Sequence, residues 1–570
     1  MAEGGAPQLS YPRNLGKREL TRSRKRDSEG IFSRAKFPER PSEVAQELIS
    51  RSIPAVRNQA VIGLGVFVLA VWLAWQLGGE IAANNLRSLE FAGAGFFAAV
   101  TAVAILRNWR TGFYLFLAWM LFEDLFRKYM GNGLALFFGK DILAALVYIS
   151  FFAEVRRGRE KRFRPPFLVF LGFFFLLGFI QVFNQNSTHI LYGLLGFKTY
   201  FYYIPFMYVG YALIRGDEDL RKFLVFNATF SALIAGLGIA QAILGNSFLN
   251  PAKLAPELQE LGDLEKSTPL TRQLFNLPDS VFVSAGRFAE FLVLAFIIAL
   301  GATGYLLLCN LRGRKIVFLS IGAIGVATLL CGNRGAFVFV MLSAVALGGG
   351  FLWGAPWRQR QAHKMIKAIR NSLVFGAAGL VLILFLFPKE AGSRVEYYTE
   401  TLLPSGSAYQ VENRAWDYPM ENLMSVFDGP NWVLGNGIGT ATLGGQYVAK
   451  LIGRPVVNVG VEEGYGSLIA EMGIIAPFLW ILWTAALLYY GWGVVRRLRQ
   501  TRFFPIALSI FWFAFVLLYP MTYGTLSAYQ NYINNAYLWL LAGILFRLPE
   551  LHASTPNLLQ ATRARGGFQF

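Results

Sequence analysis

Long apolar runs separated by short polar connectors repeat along most of the chain. They lie at about 59–78, 89–106, 111–126, 134–153, 166–183, 190–213, 223–244, 281–308, 316–331, 335–353, 372–387, 465–490, 503–520 and 530–546. Apolar runs of this length read as membrane-crossing helices, because about 20 apolar residues at 1.5 Å each span the hydrocarbon core. The pattern predicts about fourteen helices, or twelve if the short and charge-bearing runs do not cross. Two polar interruptions are longer than a connector, at about 245–280 and at 388–463. The expected fold is an all-α polytopic membrane protein of about 12–14 transmembrane helices, with a large loop before the last three. Its parts are a polar tail (1–58), helices 1–11 (59–387), the large loop (388–464), helices 12–14 (465–546) and a second tail (547–570).

Composition supports that class. The chain of 570 residues is 55% hydrophobic and 15% charged, with mean hydropathy +0.44. A soluble domain carries about 25% charged residues. Two cysteines, Cys309 and Cys331, sit at the ends of apolar runs and suggest neither a disulfide framework nor a metal cluster. The net charge of +19 comes without a nucleic-acid-binding motif, so it reads as topology rather than as a nucleic-acid partner.

The positive charges also orient the chain. With a cytoplasmic N-terminus and single crossings, one face receives 107–110, 154–165, 214–222, 310–315, 357–370, 496–502 and both tails. That face holds about 38 of the 53 Lys and Arg, against about 12 opposite. The loop 388–463 then lies outside, in the periplasm or its equivalent, as does the loop at about 245–280, with both termini cytoplasmic. No signal peptide opens the chain. The run Arg22–Arg26 reads as part of a disordered orienting tail, or as a contact for anionic lipid headgroups.

Ionisable groups inside apolar runs are costly and mark sites or partners. Lys140 and Asp141 read as an adjacent pair that supports packing. Lys198, Arg287 and Arg334 fall at outer-leaflet depth on three different runs. Together they suit an anionic headgroup, since guanidinium forks match phosphate oxygens. The three histidines, His189, His363 and His552, lack metal-ligand spacing, and there is neither a phosphate-binding Gly-Lys loop nor a Gly-x-Ser-x-Gly elbow.

Four stretches carry a resemblance: GLLGFKTYFYYIPFMYVGYAL (193–213), FVSAGRFAEF (282–291), GNRGAFVFVML (332–342), and the outer loop with ENRAWDYP and GPNWVLGNGIGTAT followed by VEEGYGSLIAEMGIIAPFLWIL (461–482). In this order they resemble the O-antigen ligase and polysaccharide polymerase superfamily, membrane glycosyltransferases of GT-C type, over roughly 190–490. The closing stretch resembles the family's His-Asn-x-Tyr or Glu-Asn-x-Tyr motif. Ligases to lipid A carry His where this chain has Glu462, which favours a polymerase.

The resemblance implies a donor oligosaccharide on undecaprenyl diphosphate, used on the outer face without cofactor or metal, with inversion at the anomeric carbon. By the same resemblance Glu462 is the base and Glu463 a second carboxylate or orienting partner. Lys198, Arg287 and Arg334 hold the diphosphate, Arg414 joins them from the loop, and Tyr465 binds substrate. Tyr397, Tyr398, Trp416, Tyr418 and Trp432 stack on sugars or form the loop's own core. The Gly-rich run 435–445 is a close-approach turn or a hinge, and Glu471 a helix or packing group. Beyond lipid bilayer and donor, the expected partners are a chain-length regulator and a flippase. The alternatives are an O-antigen ligase, a lipid-linked oligosaccharide flippase or transporter, and a membrane structural subunit.

Overall fold

In hydrocarbon every backbone N–H and C=O has to be satisfied within its own segment, so apolar runs become helices. The computed structural model describes residues 86–131, 133–251, 258, 265–354, 370, 378–379, 381–442, 444–454 and 464–565. All of them belong to one compact unit, 77–570. The first expected helix and the N-terminal tail lie outside the described residues. Of the described residues, 76% are helical. Among the described residues, six helices are long and apolar enough to cross a membrane: Leu136–Arg156, Asp217–Leu244, Ala285–Leu308, Arg334–Gly354, Ile475–Arg497 and Phe504–Gly524. Two shorter apolar helices, Gly95–Arg107 and Leu168–Gln181, accompany them.

The helices used below are α1 (Leu86–Arg107), α2 (Trp109–Met130), α3 (Leu134–Arg156), α4 (Leu168–Gln181), α5 (Ile190–Phe201), α6 (Phe206–Leu213), α7 (Asp217–Leu244), α8 (Ala285–Leu308), α9 (Arg314–Leu330) and α10 (Arg334–Gly354). The segment 388–463 contributes α11 (Pro388–Leu402), α12 (Tyr418–Ser425) and α13 (Gly445–Ile452). The chain then forms α14 (Gly464–Met472), α15 (Ile475–Arg497), α16 (Phe504–Val516) and α17 (Tyr532–Arg565).

Two runs expected as single helices are broken. The run 190–213 divides between α5 and α6 around Pro205, which has no N–H to donate back to the preceding turn. The run 465–490 divides at Gly473, whose φ of +82° no continuous helix tolerates. The helix after Phe504 widens into a π turn over Leu517–Met521, with Pro520 inside it.

Packing is built on aromatic rings and small residues. Trp480 meets Trp483 edge-on at 5.1 Å and Tyr529 at 4.8 Å, and Trp483 stacks on Trp539 at 5.5 Å. All four are essentially fully buried. α6 and α17 approach so closely that a Cβ on Gly543 would stand 2.0 Å from the Met207 carbonyl oxygen. Small residues permit that approach where lipid offers no hydrophobic drive between helices.

The connectors that charge assigned to one face meet one another. Glu160 binds Arg110 at 2.6 Å and Arg215 at 2.9 Å, Arg110 donates to the Ala212 carbonyl at 2.7 Å, and Arg502 pairs with Asp217 at 2.7 Å. The two longer polar segments also meet each other. The segment before α8 contains a two-stranded hairpin, β1 (Glu265–Ser267) against antiparallel β2 (Leu274–Asn276). Arg394 of α11 is 1% exposed and donates to three carbonyls, of Leu330 (2.6 Å), Glu390 (2.5 Å) and Asn276 (2.8 Å). It thereby fastens the hairpin and the C-terminal end of α9 to the segment 388–463. Burial pulls its guanidinium pKa below the ordinary value.

Candidate functional site

Ionisable residues of α2, α3, α5 and α8, with Asp279 just before α8, form one network. Two guanidinium groups share the Asp124 carboxylate: Arg127 on Oδ1 at 2.7 Å and Arg287 on Oδ2 at 2.8 Å. Lys140 pairs with Glu123 at 2.8 Å, Lys128 with Asp279 at 2.8 Å, and Lys198 with Asp141 at 2.6 Å. Tyr203 donates a further hydrogen bond to Asp141 Oδ1 at 2.9 Å. Lys140 and Asp141 are therefore not a pair of their own. Neighbours in a helix point about 100° apart, and each of these reaches a different helix.

Aromatic rings floor the network. Phe137 lies 4.5 Å from the Lys140 ammonium and 4.8 Å from that of Lys198. Tyr532 lies 4.7 Å from Lys140 and 5.6 Å from the Arg287 guanidinium. Rings at such distances attract cations through their negative faces. Asn531 and Asn534 of the adjacent segment donate to Glu290, one turn beyond Arg287, at 2.6 and 3.3 Å.

Exposure within this network is asymmetric. Lys198 and Arg287 are 19% and 20% exposed, whereas their partners Asp141 and Asp124 are 10% and 0% exposed. In both pairs the more exposed member is the cation. From the segment 388–463, Tyr447 of α13 accepts a hydrogen bond from Arg127 and packs its ring 4.4 Å from Phe137. The segment thus reaches down onto the charged cluster.

A second anchor fixes the segment nearby. Glu471, in α14, is fully buried. It accepts from the Tyr200 hydroxyl on Oε2 at 2.7 Å, and on Oε1 from the Thr442 hydroxyl at 2.7 Å and the Ala441 N–H at 2.9 Å. One carboxylate joins α5, α14 and the Gly-rich run. The same run is held from α4 and the turn after it, where Gln181 donates to the Leu434 carbonyl at 2.9 Å and Asn186 to that of Gly435 at 2.9 Å. Gly439 has φ +96°, and a Cβ there would stand 1.9 Å from the Tyr192 carbonyl oxygen. The Gly-rich run is a close-approach turn laid against α5. From the sequence Glu471 reads as a helix or packing group; the signal that marks it is an acidic residue inside an apolar stretch.

The remaining residues named from the sequence divide as follows. Glu462 and Glu463 lie outside the described residues, directly before Gly464. Arg334 begins α10 away from the Asp124 and Asp141 pairs: it donates to Gln410 Oε1 at 2.6 Å and sits 5.4 Å from the Tyr397 ring. Arg414 is exposed and lies 4.8 Å over Tyr418. Tyr465 is half-buried against Tyr523, at 6.1 Å between rings. Tyr397 and Tyr398 are buried with Phe275, Leu277 and Ala285, and Trp432 packs with Val426 and Ile469, so these three rings pack the segment 388–463 against the hairpin, α8 and α14. Trp416 remains 60% exposed. Arg127, Lys128 and Asp124 escaped sequence reading because the last turn of α2 looked like an ordinary charged helix end.

No family model matches the chain, and neither a curated protein nor a solved structure matches it.

Proposed function

We propose that the protein is a membrane glycosyltransferase that extends a polysaccharide from oligosaccharide units carried on undecaprenyl diphosphate. The observation that carries this reading is that the more exposed member of the Lys198–Asp141 and Arg287–Asp124 pairs is the cation. A diphosphate offers several oxygens and delocalised negative charge. Lys198 and Arg287 supply the accessible ammonium and guanidinium for it, and Asp141 and Asp124 hold these two groups in place from behind. Tyr447 supports the reading as well, because a segment seated on Arg127 keeps water from the space above.

The chemistry is a single displacement. A carboxylate takes the proton of the acceptor hydroxyl, and its oxygen attacks the anomeric carbon. The bond from that carbon to the diphosphate oxygen breaks with its electron pair. The cations stabilise the charge that collects on the leaving group. Glu462 is assigned as the base, with Glu463 orienting it, and Arg334, Arg414 and Tyr465 contact the remainder of the substrate.

The test is incubation of purified protein with an undecaprenyl-diphosphate oligosaccharide, followed by separation of products by size. A ladder of products supports the polymerase. One transfer to a different acceptor means a ligase. Passage across vesicles without new bonds means a flippase. Glu462→Gln should abolish the ladder in protein that still inserts; normal chain lengths from that variant would remove Glu462 from the base role.

A further inference from the structure

A second feature lies at the opposite, arginine-rich end. A cleft of about 250 Å³ opens between the last turns of α3, the connector 157–165 and α6. Its apolar side is formed by Phe151, Phe152, Val155, Phe163 and Tyr208, and its rim by Lys161, Arg162 and Arg164. The neighbouring carboxylates are already taken. Glu160 serves Arg110 and Arg215, Glu154 serves Arg157 and Arg159, and Glu550 serves Lys161 and Arg547. Arg162 and Arg164 are exposed and have no ion-pair partner among the described residues. The cleft thus presents two uncommitted guanidinium groups and one shared ammonium above an aromatic wall.

Its place in the fold selects the occupant. α3 is one of the membrane-crossing helices, and the cleft sits at its basic end. One turn further into the helix, Ile149 is 64% exposed on the same face as Phe152, which is 37% exposed. Leu168 and Val169, at the start of α4, are exposed as well. Apolar side chains exposed directly beneath a cationic rim match a molecule with an anionic head and a hydrocarbon tail.

We propose that this cleft binds the phosphate headgroup of an anionic membrane phospholipid, whose acyl chains run down the outward face of α3 over Phe152 and Ile149. Arg162 and Arg164 take the phosphate oxygens, since basic recesses between helices at a membrane surface recognise such headgroups. This site is independent of the transferase reading.

The experiment uses the full-length protein in mild detergent, with phosphatidylglycerol or phosphatidylcholine added, and counts retained lipid by native mass spectrometry. Wild type should retain phosphatidylglycerol in preference to phosphatidylcholine. Arg162→Ala/Arg164→Ala should lower that retention roughly tenfold or more. Arg157→Ala/Arg159→Ala removes equal charge from arginines that do not line the cleft, and should behave as wild type. If the first pair lowers the lipid-free melting temperature, the single changes Arg162→Gln and Arg164→Gln carry the comparison. Equal retention by wild type and the first pair, or equal loss from both pairs, overturns the proposal. Displacement by glycerol phosphate at the concentration of the lipid would assign the cleft to a small anion and overturn the lipid occupant.

Discussion

Glu471 offers the sharpest test of how the segment 388–463 is held. In Glu471→Ala three donors lose their acceptor: the Tyr200 and Thr442 hydroxyls and the Ala441 N–H. Tyr200 is fully buried and Thr442 is 6% exposed, so water cannot replace the carboxylate without opening the packing. A buried donor left unsatisfied costs about 1–3 kcal/mol, which puts the three at about 3 kcal/mol or more, offset in part because a carboxylate is no longer buried. Glu471→Gln keeps the volume and one acceptor oxygen. Its amide nitrogen then faces the Tyr200 hydroxyl, leaving one donor unserved at about 1–3 kcal/mol.

Tyr200→Phe removes that donor, so Tyr200→Phe/Glu471→Gln should cost less than the two single changes added. Such non-additivity is the signature of direct contact. The assay is thermal unfolding of the detergent-solubilised protein at one fixed scan rate, since membrane-protein melting depends on rate. Limited proteolysis between Thr440 and Gly445 follows the local release. The expected order of melting is wild type, then Glu471→Gln, then Glu471→Ala, with earlier cleavage in the last. A Glu471→Ala protein that melts and resists cleavage like wild type, or a strictly additive double variant, would refute the clamp.

Other outcomes follow from the same geometry. Gly439→Ala should destabilise the turn more than Gly453→Ala: both glycines have positive φ, but a Cβ at Gly453 meets open space while one at Gly439 strikes the Tyr192 carbonyl, and thermal melting compares them. Arg394→Lys should loosen α11, because one ammonium cannot reproduce a fork directed at three carbonyls; hydrogen exchange of the 265–276 hairpin would rise, and unchanged exchange would show that the fork is dispensable. Glu396 accepts from the Thr271 N–H and hydroxyl, both at 2.9 Å, which hold its carboxyl below the ordinary carboxylate range. Its stabilisation is present above the unfolded value and is lost as pH falls through the lower folded one. Protection of the Leu270 and Thr271 amides, corrected for intrinsic exchange, should therefore drop in acid, and Glu396→Gln should flatten that dependence.

Helix identity was legible because it depends on local composition. The Val-, Leu- and Phe-rich runs of α7, α8 and α10 can satisfy their backbones in lipid in one way, and their ends fall close to the expected ones. Breaks inside runs were less legible. Pro205 and Gly473 were visible as letters, but a proline or glycine is tolerated within many membrane helices, and only packing decides whether the axis turns. That the segment 388–463 carries nine carboxylates against five Lys and Arg was also readable. That Arg394 is a buried staple rather than a surface charge was not, since its three carbonyl partners come from residues 276, 330 and 390.

The sequence by itself determined a helical membrane protein with cations set into its apolar runs, because hydrophobic length and charge placement are properties of contiguous residues. The tertiary structure decided what those cations face. Asp124 meets Arg287 across 163 positions, Asp141 meets Lys198 across 57, and Tyr447 reaches Arg127 across 320. An ion pair in a low-dielectric interior depends on a few ångströms of separation, and such distances are fixed by helix packing, which no local stretch encodes.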